Sequence, residues 1–273
     1  MTFLEKLAQA SLTNRSLLSV GLDSDFSKLP VHLKHQPYPL FKFNRQIIDA
    51  TSDLVCAYKL NSAFYEALGD AGIYQLKLTF DYLRQHYPQI PTILDAKRAD
   101  IGNTNLGYAQ FAFDYLGADS LTVNPYLGRE AIQPFLDYTD KGIIVLCKTS
   151  NPGSGEIQNL LVGEQKLYQL IARKVALEWN QNQNCLLVVG ATYPAELAEL
   201  RQLLPNITFL IPGVGAQGGD LQATVLAAKN QHNAGFIVNS SREIIFASSG
   251  LDFALEARQK TQALRDQINS YLT

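Results

Sequence analysis

The feature that most constrains this chain is a pattern written eight times over: a short apolar run, often β-branched, followed by an amphipathic stretch of helical length. The runs are SLLSVGLD (16–23), LVCAYKLN (54–61), PTILDAKR (91–98), SLTVNPY (120–126), GIIVLCKTS (142–150), CLLVVGAT (185–192), TFLIPGVG (208–215) and GFIVNSSR (235–242). Continuous apolar runs of this length suit strands buried on both faces. Between and after them the spacing predicts helices over 41–52, 62–86, 103–116, 128–138, 164–182, 194–204, 219–230 and 250–271. Asn103-Thr104 reads as a helix start by side-chain capping, and Pro194 as one by proline in the first turn. An additional N-terminal helix, about 2–12, precedes the first run. Eight consecutive βα units in 273 residues fit an α/β TIM (β/α)8 barrel. A doubly wound sheet is the other arrangement of such units, but no Gly-x-Gly-x-x-Gly opens a first helix. Nothing divides the chain into parts, so residues 1–273 read as a single domain.

Composition limits the partners. With 47% hydrophobic residues and 18% charged, the chain has enough apolar side chain for a sizeable core. A net charge of -2 supplies no basic face for a phosphate backbone, so nucleic acid is not expected, whereas a small anionic ligand is. Glu5 and Lys6 interrupt the start where a signal peptide needs an unbroken apolar stretch, and no run reaches a membrane span. A cytoplasmic protein that makes no use of the membrane is the expectation. Cys56, Cys147 and Cys185 are odd in number and sit in apolar runs, as buried thiols do. The histidines, His32, His35, His86 and His232, fall in polar or proline-bearing stretches, which gives a His-based triad no seat; His32 and His35 can be read as a metal pair, but they flank Lys34 in a segment broken by Pro30, Pro37 and Pro39, where solvated loop histidines are the favoured reading. The longest irregular pieces are 24–40 and 151–163, the latter with Gly153 and Gly155 and open to two readings, a mobile lid or an ordinary surface loop.

In a barrel, polar side chains at the C-terminal strand ends deserve a functional reading first. Here the first run ends in Asp23, the second carries Lys59 and Asn61, and the third carries Asp95, Lys97, Arg98 and Asp100. Side chains alternate along a strand, so Asp95 and Lys97 share a side, as do Lys59 and Asn61 on the next strand. Charges in a dry site must be paired, and alternating lysines and carboxylates achieve that. Structural salt bridging across the barrel end would use the same residues. A second constellation is IPGVGAQGGD (211–220), a glycine-rich turn entering a helix and offering backbone N–H groups, with Arg242 ending the following strand. Loops after strands seven and eight are the usual phosphate seat of this fold.

At these residues a resemblance becomes specific. LDAKRADIGNT (94–104) resembles the signature of the orotidine 5'-phosphate decarboxylases, in the DAKRADIGNT form of their second subgroup. The same order of motifs continues through VGLD, YKLN, TSNPG (149–153), PGVGAQGG (212–219) and NSSR (239–242), so the similarity spans nearly the whole barrel. The resemblance implies decarboxylation of orotidine 5'-phosphate to UMP in pyrimidine biosynthesis, with no metal and no cofactor, by a homodimer with shared active sites. It implies that Asp23 and Lys59 hold ribose hydroxyls and that Asp95 sits beside the substrate carboxylate. Lys97 would deliver a proton to C6. Asp100, Ile101 and Thr104 would reach into the neighbouring subunit's site, with Asp100 completing a Lys59/Asp95/Lys97/Asp100 charge network. Ser150 would read the pyrimidine edge, and Gln217 and Arg242 would grip the 5'-phosphate. Asn124-Pro125-Tyr126 is a local departure with no role assigned.

Three rivals share parts of this pattern. A magnesium-dependent sugar-phosphate decarboxylase or aldolase of the same superfamily would use Asp-x-Lys-x-x-Asp and the phosphate seat, but Ile101 to Thr104 and TSNPG match the nucleotide enzyme. A noncatalytic nucleotide-binding barrel would not need so costly a set of buried charges. A Schiff-base enzyme could use Lys59 or Lys97, and borohydride trapping would reveal it.

Overall fold

The structure, a computed structural model, describes residues 1–214 and 218–272. Eight parallel strands close into a barrel in sequence order: β1 Leu18–Gly21, β2 Ala57–Asn61, β3 Thr92–Arg98, β4 Ser120–Val123, β5 Gly142–Lys148, β6 Cys185–Val189, β7 Phe209–Pro212 and β8 Phe236–Ser240. Each lies inside one of the eight apolar runs, and β8 pairs with β1 through Leu18 opposite Val238. The fold is the TIM barrel.

Alternation along the strands divides the core in two. Tyr58 and Leu60 of β2, Val145 of β5 and Val238 of β8 pack outward with the helices. Ala57, Ile93, Ile144, Leu186, Leu210 and Ile237 form a separate interior cluster. Stepping two residues onward from these interior positions gives Lys59, Asp95, Val188 and Asn239, all of which line a cavity at the C-terminal end. The inward face is thus apolar in its lower layers and turns polar at the mouth.

The predicted N-terminal helix is α1, Phe3–Thr13. It starts with a reciprocal capping box, Thr2 N donating to Glu5 Oε2 at 2.8 Å and Glu5 N to Thr2 Oγ1 at 3.3 Å. Its Phe3 and Leu7 join the interior cluster, so α1 plugs the barrel floor. A Cβ on Gly142 would stand 2.4 Å from the Phe3 ring, which is why the first position of β5 has no side chain. Lys6 pairs with Asp119 at 2.9 Å, and Asp119 also accepts from Thr92 N at 2.8 Å, fastening α1 to the feet of β3 and β4.

Most helices fall where the periodicity predicts them: α2 Pro39–Thr51, α3 Gly69–His86, α4 Thr104–Ala109, α5 Gly128–Leu136, α6 Leu167–Arg173, α7 Pro194–Leu203, α8 Leu221–Ala228 and α9 Phe253–Ser270. α4 and α6 continue as π-helical turns over Gln110–Tyr115 and Lys174–Trp179. Several local expectations fail. The stretch 62–86 is not one helix, because Gly69 at φ 62° separates a short turn, Ala63–Glu66, from α3. A Cβ on Gly72 would lie 1.9 Å from Tyr65 O, so glycine there lets the two pieces fold together. α4 begins at Thr104 as expected, but Asn103 makes no side-chain cap bond. Segment 151–163, read from sequence as irregular, holds a 3₁₀ turn at Pro152–Ser154, a short helix at Gly155–Gln158 and the first strand of a hairpin, Leu161–Val162 with Gln165–Lys166. Similarly, 24–40 holds a turn at Phe26–Lys28 and a short helix at Val31–Lys34.

Cys56, Cys147 and Cys185 are free and buried, and burial pushes the Cys56 and Cys185 thiols up to about 12. Among the described residues no helix is long and apolar enough to cross a membrane.

Candidate active site

A cavity of about 530 Å³ opens at the C-terminal ends of the strands. Strands β1 to β4 supply its charged part. Lys59 Nζ lies 3.3 Å from Asp23 Oδ1 and 3.1 Å from Asp95 Oδ2, and Lys97 Nζ lies 2.6 Å from Asp95 Oδ1. The four side chains form one alternating chain of charge, neutral in sum, running inward to outward: Lys59 is 5% exposed and Lys97 47%. Thr122 Oγ1 donates to Asp95 Oδ1 at 2.9 Å and accepts from Lys97 N at 2.9 Å, which holds carboxylate and lysine backbone together.

Burial alone would raise the Asp95 carboxyl, but Lys59 and Lys97 outweigh it and hold the group well below the usual carboxylate range. For Lys59 burial likewise opposes the charge, and Asp23 and Asp95 overcome it, so its ammonium is raised above the ordinary value. Both groups stay ionised because each is the other's counter-ion.

Simple alternation accounts for Asp95 but not for Lys97. Leu94 pairs with Leu121 and Arg98 with Val123, so four steps along β3 face two along β4. The surplus is taken up by an irregularity in which Lys97 adopts φ 49° and Ala99 φ 141°. Non-glycine residues rarely accept these angles, and their concentration beside the charged chain marks strain spent on aiming Lys97.

Strands β7 and β8 and their loops supply the other end of the cavity: Gly213, Val214, Asn239, Ser240, Ser241 and Arg242. A Cβ on Gly21 of β1 would come within 1.9 Å of Ser241 Oγ, so glycine admits the turn that carries Arg242. The N-terminus of α8 is not the open anion seat that its glycine-rich approach suggests. Asp220 caps it, accepting from Ala223 N at 3.0 Å, so a carboxylate already occupies that position. Gln217 lies outside the described residues. From β5 come Thr149, Ser150, Asn151 and Gln158. A Cβ on Gly190 would fall 2.7 Å from the Ser150 Cβ, so Gly190 allows that loop to rest on the end of β6. Among the described residues no group of three or more His, Cys, Asp or Glu side chains is gathered that could hold a metal ion.

Residues 16–256 match the family model described as the orotidine 5'-phosphate decarboxylase / HUMPS family. Over 271 residues the chain is 48% identical to the orotidine 5'-phosphate decarboxylase of Azoarcus sp. (strain BH72), covering 99% of this chain and 100% of that one. The chain belongs to this family. A relative in Herpetosiphon aurantiacus, also named orotidine 5'-phosphate decarboxylase, is 50% identical over 96% of both chains. Among solved structures, Leishmania donovani OMP decarboxylase superposes with a TM-score of 0.86 at 34% identity, covering 100% of this chain and 99% of that one. Leishmania donovani UMP synthase superposes at 0.89 with 37% identity, and this chain spans 57% of it.

Within the orotidine 5'-phosphate decarboxylase family reading, the structure gathers Asp23, Lys59, Asp95, Lys97, Ser150 and Arg242 around one cavity. Asp100, Ile101 and Thr104 do not line it. Asp100 therefore does not join the Lys59, Asp95 and Lys97 network of its own chain. Its Oδ1 accepts from Ile101 N at 2.7 Å, and its backbone N donates to Asn105 Oδ1 at 2.7 Å. Buried Asn105 also donates to Ala131 O at 2.7 Å, fixing this turn onto α5 with Ile101 63% exposed. Sequence reasoning passed over Thr122 and Gln158, and it gave Thr149 and Asn239, though they lie within TSNPG and NSSR, no role of their own. For Thr122 and Asn239 a signal existed, a polar residue within an apolar strand run; Gln158, in an irregular stretch, carried none.

Proposed function

We propose that this chain is a carboxy-lyase that converts orotidine 5'-phosphate to UMP and carbon dioxide by means of its own side chains. The observation that carries this reading is the continuous Asp23, Lys59, Asp95, Lys97 chain at the cavity wall, ending in a lysine ammonium open to the cavity. When the bond between C6 and the carboxylate breaks, its electron pair stays on C6 and carbon dioxide leaves. No adjacent carbonyl delocalises that pair, so catalysis depends on preorganised charge at the carbon. Lys97 supplies it and then transfers a proton from Nζ to C6, and solvent restores the proton to the amine. Asp95, held ionised by its two lysines, places a negative charge beside the departing carboxylate, and Asp23 with Lys59 binds the ribose hydroxyls.

The remaining cavity suits the rest of the nucleotide. Ser150 meets the pyrimidine edge, and Arg242, with Gln217, takes the 5'-phosphate through charge-assisted bonds. Phosphate binding is remote from C6, so its free energy serves orientation and closure. A second copy of the chain completes the site with Asp100, Ile101 and Thr104. Ile101, Leu106, Tyr126 and Leu127 are all exposed, just before or within α4 and just before α5, which packs on α4, and a two-fold partner would cover these apolar side chains. Tyr126, at 83% exposure, would give the unassigned Asn124-Pro125-Tyr126 a place in that contact.

The test follows the absorbance of orotidine 5'-phosphate with purified protein in excess chelator. Turnover is expected to persist, and Lys97→Ala is expected to lower kcat by about 100- to 10,000-fold, the worth of a positioned acid, while UMP still binds. Activity lost to the chelator and restored by magnesium would overturn the metal-free reading in favour of the sugar-phosphate enzymes.

A further inference from the structure

Alternation along β5 sends Ile144 into the barrel interior and Leu146 into the cavity wall, and would send Lys148 into the cavity too. It does not go there. Leu146 pairs with Val188 and Lys148 with Val189, so two steps of β5 face one of β6, and this irregularity turns Lys148 out of the lumen. Lys148 is fully buried, 0% exposed. Among the described residues no carboxylate lies within ion-pair distance of it. Its ammonium donates instead to Ser154 Oγ at 3.2 Å and Asn159 Oδ1 at 3.0 Å, and stands 4.5 Å from the centre of the Tyr193 ring and 5.8 Å from that of Tyr168.

Burying a cation among neutral partners is expensive, and an apolar residue would serve packing alone at less cost. The expense has a geometric return. Ser154 and Asn159 flank the short helix Gly155–Gln158, so one ammonium ties both ends of that turn to the top of β5. With the turn held down, Gln158 clasps Thr149: Thr149 N donates to Gln158 Oε1 at 2.9 Å and Gln158 Nε2 donates to Thr149 Oγ1 at 2.8 Å. Thr149 Oγ1 donates onward to Asn151 Oδ1 at 2.7 Å. Thr149, Ser150, Asn151 and Gln158 all line the cavity, and the bonds among Thr149, Asn151 and Gln158 fix the orientation of their amide and hydroxyl groups. A uracil ring, with carbonyl acceptors flanking an N–H donor, is read by such a mixed face only if its groups are preorganised.

We propose that Lys148 is a positioning residue for base recognition, its caged ammonium ordering the Thr149 to Asn159 segment against the pyrimidine. The inference rests on the nucleotide reading above, and extends it to a residue that does not touch the substrate.

The experiment measures dissociation constants of UMP and of ribose 5-phosphate, which lacks the base, by titration calorimetry. Wild-type protein that binds UMP no better than ribose 5-phosphate would overturn the nucleotide reading itself, before any variant is made. Given wild-type discrimination, Lys148→Met, which keeps the stem and removes the charge, is expected to weaken UMP by about tenfold and ribose 5-phosphate by less than about twofold. Lys148→Arg should restore most of the difference. Equal weakening of both ligands, or of neither, would show that Lys148 merely supports the barrel rim. Should Lys148→Met fail to fold, Asn159→Ala, which removes one partner of the ammonium on an exposed residue, must show the same selective loss in smaller measure; a non-selective effect overturns the proposal.

Discussion

Asp95 illustrates how a single residue couples the site to stability. Against its burial, Lys59 and Lys97 hold the carboxyl below the usual range, while in the unfolded chain it returns to about 3.9. A depressed folded value means that the stabilising contribution is complete above the unfolded value and is lost as pH falls below it toward the folded one. Lys59 has the opposite sign: its folded value is raised, so its contribution is complete below about 10.4 and is lost only as pH climbs through the folded value. The network is therefore intact across the neutral range, and acid attacks it through Asp95. Asp95→Asn is expected to be less stable near neutrality, since it leaves Lys59 short of a counter-ion, yet to lose less further stability than wild type between about pH 5 and pH 2.5. Urea unfolding at a series of pH values measures both slopes. Parallel slopes would mean that the Asp95 carboxyl is not held down by folding.

Among the elements, the end of α7 depends on one cation that is unrelated to the chemistry. Arg201 is 7% exposed and donates to five carbonyls: Ala228 at 2.7 Å, Leu204 and Pro205 at 3.1 Å, Ile207 at 2.8 Å and Gly235 at 2.6 Å. Its guanidinium also lies 4.1 Å from the Phe209 ring centre. Burial lowers its pKa to about 10, which leaves it charged at neutral pH. These carbonyls come from the C-terminal ends of α7 and α8 and from the segments entering β7 and β8, so the side chain closes two βα units at the foot of the barrel. Arg201→Ala strands buried acceptors and opens a void, and a loss of about 3–5 kcal/mol is expected. Chemical denaturation checks the loss, and the KM of the folded variant should be unchanged because the mouth lies at the other end of the strands. A loss below about 1 kcal/mol would mean that water satisfies the carbonyls instead.

For the whole molecule, the decisive question is whether Asp100 serves its own cavity or a partner's. In one chain it faces its own turn and takes no part in the Lys59 to Lys97 network. In the proposed dimer with shared sites, Lys97→Ala and Asp100→Ala homodimers are both expected to be nearly inactive. Refolded together at equal amounts, about half the dimers are mixed, and each mixed dimer holds one doubly damaged site and one intact site, so recovery should approach about a quarter of wild-type activity. Mixed dimers, separated by differential tags, that show no recovery would place Asp100 within its own chain's chemistry.

Much of this molecule was legible in sequence. Eight strands, the plug helix α1 and the inward face of Lys59 and Asp95 follow from periodicity, because backbone geometry repeats every two residues in a strand and every 3.6 in a helix wherever the chain lies. The motif order from VGLD to NSSR carried the expected chemistry, because its resemblance to the orotidine 5'-phosphate decarboxylases implied the reaction before any contact was known. Other features had no local signal. Lys97 on β3 and Lys148 on β5 both fall on the inward register of their strands, yet only Lys97 enters the cavity, at φ 49°, whereas Lys148 leaves it for the Tyr193 ring. Both outcomes arise from register mismatches with the neighbouring strand, at Leu121 to Val123 and at Val188 to Val189. Such a mismatch is a property of two strands hydrogen-bonded side by side, separated along the chain by a helix, and only their pairing in the sheet reveals it. Sequence alone narrowed the residues that could do the chemistry; the tertiary structure decided which lysine lines the cavity and which is buried beside it, because only paired backbones choose where a side chain points.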